Sequence, residues 1–264
     1  MAITSSTYVQ QALQLEFTAL KHACPSGVYV APVHDTPLTW VGVLFPRQGP
    51  YATAVLRFEI IFTSAYPSRP PTIRFATDVF HPLVTPVTTY THTTKDVGVD
   101  TVSSADGDRM PPGAFSLRHG FPEWYGKVNL DHPSEGPGRP PHIVEVLQYL
   151  RVAFDVPEVI DSVQLHHAAN TGAWHAWESQ RSRLRGAVSP SGPPGRPIGT
   201  LSPTRQQQPG GARRPGEWNW HGVWEDRVRK SVAASNTEHA LYGGDGNSMI
   251  MFKRVNEDIS SAAA

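Results

Sequence analysis

The sequence is nearly devoid of cysteine. Its 264 residues include one, Cys24, which excludes internal disulfides and a cysteine-based zinc site. No run of about 18 apolar residues occurs, so we expect no transmembrane helix. Lys plus Arg and Asp plus Glu both number 23, so no overall basic charge exists to attract nucleic acid or a membrane surface. The first residues also lack the basic and apolar regions of a signal peptide, and we expect a cytoplasmic protein.

Proline and glycine, by contrast, are abundant, at 25 and 22 residues, which indicates sizeable irregular segments. Residues 186–216 contain arginines, no acidic or aromatic residue, and nearly half proline or glycine. Such a segment cannot bury enough surface to offset its ordering entropy, so we predict a disordered Pro/Gly-rich linker there. Residues 85–113, rich in Thr, Ser, Asp and Pro, are too long for an ordinary connection and predict a mobile insertion.

Between these segments the hydrophobic pattern predicts an α+β fold. Apolar residues at helical spacing predict a first helix over 6–22. Alternation then predicts a four-stranded antiparallel meander. The strands are Val28–Val33, Leu38–Phe45, Ala54–Phe62 and Thr72–Phe75. C-terminal helices follow: a buried one from Ile143 to Phe154, placed between Pro141 and Pro157, and one over 169–185 with a basic end.

Beyond the linker, residues 217–236 form a tryptophan-rich segment with a short predicted helix, and 237–264 a tail. The indoles are Trp218, Trp220 and Trp224, and the helix is expected over Glu225–Ala234. Two interpretations remain open for the three indoles: they dock back on the folded domain, or they bind a partner, since buried aromatic anchors dominate interfaces.

The most specific motif is Y-P-x-x-P-P followed shortly by H-P. Its residues are Tyr66, Pro67, Pro70, Pro71, His81, Pro82 and Leu83. This order resembles the signature of the ubiquitin-conjugating fold, in which H-P is completed by Asn and a catalytic cysteine follows. The resemblance covers about residues 6–185 and implies that fold for this domain.

The same resemblance implies that catalysis has been lost. Leu83 occupies the position of the Asn, whose amide would stabilise an oxyanion, and no cysteine follows it. Thioester transfer requires a thiolate, which Thr93 and Thr94 in the expected region cannot replace. Cys24 lies far away in sequence and is expected to be a small buried or half-buried filler. We therefore predict a protein that is not an enzyme, with no catalytic, cofactor-binding or metal-binding residue.

Two histidine positions invite other interpretations. In this fold the counterpart of His81 is a structural residue of the loop, and we expect the same here. His166 and His167, with Asp161 or His175, contain metal-binding groups, but adjacent loop histidines are more often simply exposed.

Three further stretches, Gly27–Pro32, Leu38–Tyr51 and Val79–Val84, resemble a narrower group. It is the fused toes, or AKT-interacting protein, family of inactive ubiquitin-conjugating variants. This likeness implies an adaptor with two partners, a Hook-type coiled-coil protein and a helical-repeat subunit. Together these link endosomal cargo to dynein, at the periphery of endosomes or microtubules. The alternatives are a ubiquitin-binding cofactor of an active conjugating enzyme and a conjugating enzyme with an atypical nucleophile.

Overall fold

The structure, a computed structural model, describes residues 2–87, 110–125, 139–188 and 218–242. Most of the predicted insertion, of the linker and of the tail lies outside these residues. Within them, no helix is both long and apolar enough to cross a membrane.

The first helix, α1, runs from Ala2 to Ala23, somewhat longer than predicted. It buries Val9, Leu13 and Leu20, which repeat at helical spacing along one face. Just after α1, Gly27 has a φ of +85°, and a Cβ there would lie 2.9 Å from the carbonyl oxygen of Phe45. Only glycine fits this turn, through which the chain enters the sheet.

Among the described residues, the sheet is an antiparallel meander of five strands in the order β1-β2-β3-β4-β5. The strands are β1 Val28–Pro32, β2 Thr39–Leu44, β3 Leu56–Ile61, β4 Thr72–Phe75 and β5 Ala114–Phe115. The four predicted strands are all present. The fifth was not predicted, because two buried residues carry no alternation for the sequence to reveal.

In the part of the chain that the structure describes, five helices follow the sheet. They are α2 Ile143–Asp155, α3 Pro157–Ser162, α4 Thr171–Val188, α5 Val223–Ser235 and α6 Glu238–Tyr242. A 3-10 turn, Pro122–Trp124, precedes α2, and a second one, Leu165–His167, lies between α3 and α4. A capping box starts α2, since the backbone N–H of His142 donates to Glu145 at 2.8 Å. The predicted α+β fold, with an N-terminal helix, an antiparallel meander and C-terminal helices, is confirmed.

One hydrophobic core joins α1, the sheet and the C-terminal helices. It includes side chains of the buried helix α2, such as Leu147 and Leu150, and also Trp224 and Val228 of α5. The core therefore extends past residue 185, where the sequence places the end of the domain.

Candidate functional site

The H-P motif forms a tight turn, Phe80 to Val84, after β4. The backbone N–H of Val84 donates to the carbonyl of His81 at 3.0 Å. His81, Leu83 and Val84 are completely buried, and Phe80 is nearly so. The residues after the motif in sequence, 88–109, which include Thr93 and Thr94, lie outside the described residues.

Both ring nitrogens of His81 form hydrogen bonds that stabilise this turn. The backbone N–H of Leu83 donates to Nδ1 at 3.0 Å, so the proton lies on Nε2, which donates to the carbonyl of Ala153 at 3.0 Å. Burial lowers the pKa of His81 to about 4, against a smaller opposing effect of the bond to Ala153. The imidazole is therefore neutral near pH 7 and joins the turn to α2.

Tyr51 covers the other side of the turn. Its hydroxyl donates to the carbonyl of Phe80 at 2.6 Å, and its ring lies 5.4 Å from that of His81 and 5.1 Å from that of Phe154. Complete burial raises the pKa of the Tyr51 phenol well above its usual value. The phenol therefore stays protonated and serves as a hydrogen-bond donor.

The loop that carries Tyr51 is held in place by Asp155 at the end of α2. One carboxylate oxygen accepts the backbone N–H of Arg47 at 2.8 Å, and the other pairs with Arg151 Nε at 3.1 Å. Gly49 has a φ of +72°, and a Cβ there would lie 3.1 Å from the carbonyl oxygens of Phe154 and Asp155. The residues Arg47, Gln48 and Gly49, within the Leu38–Tyr51 stretch, thus have a structural role in placing this loop.

The Y-P-x-x-P-P segment joins the first helix to the sheet and to α2. The hydroxyl of Tyr66 donates to Glu16 at 2.9 Å, and the same carboxylate accepts the N–H of Ile143 at 2.9 Å. The carbonyl of Pro67 accepts the indole N–H of Trp124 at 3.0 Å. Pro70 and Pro71 directly precede β4, with Pro71 buried. These contacts give the motif residues a role in packing.

Sequence reasoning missed the residue that β5 brings beside the turn. The backbone N–H of Ser116 donates to the carbonyl of Leu83 at 2.7 Å, and Ser116 is only 1% exposed. A gap of more than thirty residues separates the two in sequence. The one signal available in the sequence was the glycine at position 113. In the structure Gly113 has a φ of +73° and directly precedes β5.

Cys24 lies at the opposite edge of the sheet. Its thiol donates to the carbonyl of Val28 in β1 at 3.3 Å, whereas the H-P turn is hydrogen-bonded to residues of and beside β5. Partial burial raises the pKa of the Cys24 thiol, which disfavours the reactive thiolate.

The tryptophan segment docks on the folded domain. Trp224 is 3% exposed, and its ring lies 4.8 Å from Trp177 of α4 and 6.2 Å from Tyr51. Trp220 stacks on His175 of α4 at 5.8 Å, and Trp218, 53% exposed, stacks on Trp220 at 5.6 Å. The indole of Trp224 packs within the chain, in the helix that lies over the H-P turn, and a partner-binding role for the tryptophans stays a prediction.

Polar contacts accompany this packing. The hydroxyl of Ser231 accepts the N–H of Phe80 at 3.0 Å, and that of Ser235 accepts the N–H of Val55 at 3.2 Å. Arg57 donates to the carbonyl of Ala240 at 2.9 Å. Helix α5 therefore satisfies backbone N–H groups of the turn and of the residue before β3, while α6 accepts a hydrogen bond from a side chain of β3.

The residues considered above for a metal site, His166, His167, His175 and Asp161, have other surroundings in the structure. His166 and His167 lie in the second 3-10 turn, with ring centres 4.0 Å apart, and His175 faces Trp220. Asp161 accepts the indole N–H of Trp177 at 2.8 Å. In the part of the chain that the structure describes, no group of three His, Cys, Asp or Glu side chains is placed to hold a metal ion.

These features define a ubiquitin-conjugating-type domain. The family model described as ubiquitin-conjugating enzyme matches residues 12–89, from α1 through the H-P turn. The match extends over the Y-P-x-x-P-P and H-P motifs, and it agrees with the helix and meander described above.

The chain is also similar to individual proteins of this class. The chain is 30% identical over 162 residues to protein crossbronx of Drosophila ananassae, covering 60% of this chain and 51% of that protein. It is 31% identical over 149 residues to AKT-interacting protein of Danio rerio, covering 56% of this chain and 38% of that protein. It is also 35% identical over 80 residues to ubiquitin-conjugating enzyme E2 1 of Caenorhabditis elegans, covering 30% of this chain and 42% of that protein.

The predicted resemblance to the fused toes and AKT-interacting protein family is confirmed by these homologues. The chain spans about half or less of the length of the curated relatives it matches.

Proposed function

We propose that this chain is a non-catalytic ubiquitin-conjugating-like subunit that acts as an adaptor in a Hook-type complex linking endosomal cargo to dynein. One observation carries the first half of this proposal. The H-P turn lies beneath the chain's own helix α5, and the sequence has no cysteine after it. In a conjugating enzyme the H-P turn would belong to the catalytic site. Here it packs against α5 within the fold.

The groups around the turn also argue against another nucleophile. Ser116 is the hydroxyl residue that β5 brings beside Leu83, and it is buried. His81, in the turn itself, engages backbone groups with both nitrogens, and His119, three residues after Ser116, contacts the hydroxyls of Tyr149 and Ser162. A hydroxyl without a base to accept its proton is a weak nucleophile.

The second half, the adaptor role and its partners, rests on the family resemblance. Homologues named crossbronx and AKT-interacting protein support the kinship. The proposed partners are a Hook-type coiled-coil protein and a helical-repeat subunit, with a cytoplasmic location beside endosomes or microtubules. We propose no cofactor and no nucleic-acid partner.

The chemical half is tested with activating enzyme, ATP and ubiquitin, next to an active conjugating enzyme as the positive control. We expect no reductant-sensitive ubiquitin adduct on this chain. A thioester that disappears in Cys24→Ser would overturn the proposal, and so would a hydroxylamine-sensitive ester that disappears in Ser116→Ala. Either adduct would support the atypical-enzyme alternative.

The adaptor half is tested by affinity purification of the full chain followed by mass spectrometry. We expect a Hook-type protein and a helical-repeat subunit in stoichiometric amounts. Recovery of ubiquitin and an active conjugating enzyme in their place would instead support the ubiquitin-binding cofactor.

A further inference from the structure

The outer face of the sheet, which points away from the core, is mostly apolar over β1 and β2. Every second side chain of a strand lies on this face. The residues are Tyr29, Ala31, Thr39, Val41 and Val43, and none of them is charged. Tyr29 is 60% exposed and Val41 is 43% exposed. An antiparallel sheet usually presents polar residues to solvent on such a face, so a contiguous apolar area there indicates a contact surface.

Helix α6 brings the chain to this outer face. The guanidinium of Arg57 donates to the carbonyl of Ala240 at 2.9 Å. Arg57 lies on the outward side of β3, because the residues on either side of it in the strand are buried. In the sheet Arg57 pairs with Val43, and Val43 pairs with Tyr29. The chain therefore leaves α6 beside a cross-strand row whose other two members are apolar.

The sequence after α6 contains an apolar segment that fits this surface. Residues 243–264 follow α6 and lie outside the described residues. Residues 243–247 include three glycines, and Met249–Phe252 is a run of four apolar residues. No longer apolar run occurs in the parts of the sequence that lie outside the described ranges. Like the outward residues of β1 and β2, this run has no charge.

The distances allow the two to meet. Five residues can span up to about 17 Å, whereas β1 lies about 10 Å from β3, two strand spacings away. Residues 243–247 are therefore long enough to place Met249–Phe252 over β2 and β1. So short a tether also keeps a segment at an effective concentration on the order of millimolar, which favours it over a separate molecule at a lower concentration.

We propose that residues 248–255 of this chain dock on the outer face of β1 and β2. The side chains of Met249–Phe252 cover Tyr29, Val41 and Val43, and the docked segment closes this face to other molecules. This docking is independent of the proposed adaptor function, so either can fail without the other.

Photo-crosslinking in the full chain tests the contact. A photo-crosslinking residue replaces Val41 or, as the matched control, Leu184, which is 53% exposed in α4. Mass spectrometry identifies the linked peptides, and a mixture of isotopically light and heavy chains separates links within one chain from links between two. Thermal melting checks that each variant folds, and Tyr29 is the second probe position if the Val41 variant does not.

A pair of substitutions then tests the apolar contact. Ile250→Asp combined with Phe252→Asp places two charges in the docked run. The matched control is Ile198→Asp combined with Leu201→Asp, which makes the same kind of change between α4 and α5. We expect the first pair to lower the yield of the cross-link from position 41 at least roughly tenfold, because buried charges without partners are costly. The control pair should leave the yield unchanged.

The expected result is a link from position 41 to residues 248–255 of the same chain, absent from position 184 and retained when the chain is placed in cell extract. Four results would overturn the proposal. They are a link from 41 to a second copy, a link to another protein in place of 248–255, an equal or stronger link from 184 to this segment, and no link from 41. An unchanged yield with Ile250→Asp and Phe252→Asp would also contradict it.

Discussion

The hydroxyl of Ser231 accepts a hydrogen bond from the backbone N–H of Phe80 at 3.0 Å, although the two residues are 151 positions apart. Both residues are buried. Ser231 lies in α5 and Phe80 starts the H-P turn, so the C-terminal helix contacts the turn by a directed polar bond as well as by apolar packing. A buried N–H without a partner is costly, which makes the helix part of the domain.

We predict that Ser231→Ala lowers the free energy of unfolding by about 1–3 kcal/mol, because the Phe80 N–H is left buried without its acceptor. Urea denaturation measures this. Ser182→Ala, at an exposed position of α4, controls for the higher helix propensity of alanine and should be neutral or slightly stabilising. Equal stabilities of the two variants would contradict the role assigned to Ser231.

We predict that Trp224→Ala costs about 3–5 kcal/mol, the range for removing a large buried aromatic side chain. The indole contacts Trp177, Tyr51 and Phe80, and these neighbours cannot easily close the cavity. Trp218→Ala removes the same side chain from a half-exposed position and should cost much less. The measurement is again urea denaturation, and a Trp224 variant no less stable than the Trp218 variant would show that the segment does not dock as described.

His81 predicts a loss of stability in acid. Its native pKa of about 4 lies below the ordinary value of about 6.5, so the unfolded chain binds the extra proton first. The contribution of the neutral His81 to the free energy of unfolding is therefore fully present above pH 6.5. It is lost as the pH falls towards 4, by about 3 kcal/mol in total.

Two measurements check the His81 prediction. The free energy of unfolding should fall across this window, and the ring resonances of His81 in a proton NMR titration should stay constant from pH 8 to about pH 5. If His81 instead titrates near pH 6.5 in the folded protein, the buried neutral imidazole is refuted. His81→Gln, which has no titrating ring, should show a flatter dependence on pH over the same window.

Much of this fold is predictable from the sequence because its elements are locally encoded. Period-two alternation in Leu56–Ile61 and helical spacing in Ile143–Asp155 each report one buried face. The face shared by Trp224, Val228 and Val232 is likewise visible from their spacing of four residues. The Y-P-x-x-P-P and H-P motifs then identify which arrangement of these elements is adopted.

The contacts that complete the site are not locally encoded. Strand β5 is two residues long, and apart from Gly113 nothing near Ser116 in sequence indicates that it pairs beside Leu83. Ser231 and Ser235 resemble ordinary polar helix residues, yet both are buried because Phe80 and Val55 offer backbone N–H groups more than 150 positions away. Long-range satisfaction of buried polar groups depends on the assembled fold.

The final prediction concerns where the folded domain ends. The sequence places the end of the core at residue 185, before the linker, but α5 covers Tyr51, Phe80 and Trp177 and pairs two backbone N–H groups. A chain truncated to residues 1–188 should expose these aromatic side chains. We expect it to bind a hydrophobic dye and to melt at a lower temperature and over a broader range than the full chain.

A peptide of residues 218–242 added to the truncated chain should restore the sharp transition and suppress dye binding, because it supplies both the indole and the two serine acceptors. The same peptide with Trp224→Ala should fail, while that with Trp218→Ala should succeed. If the truncated chain melts like the full chain without any peptide, helix α5 is an appendage, and the domain ends where the sequence alone places it.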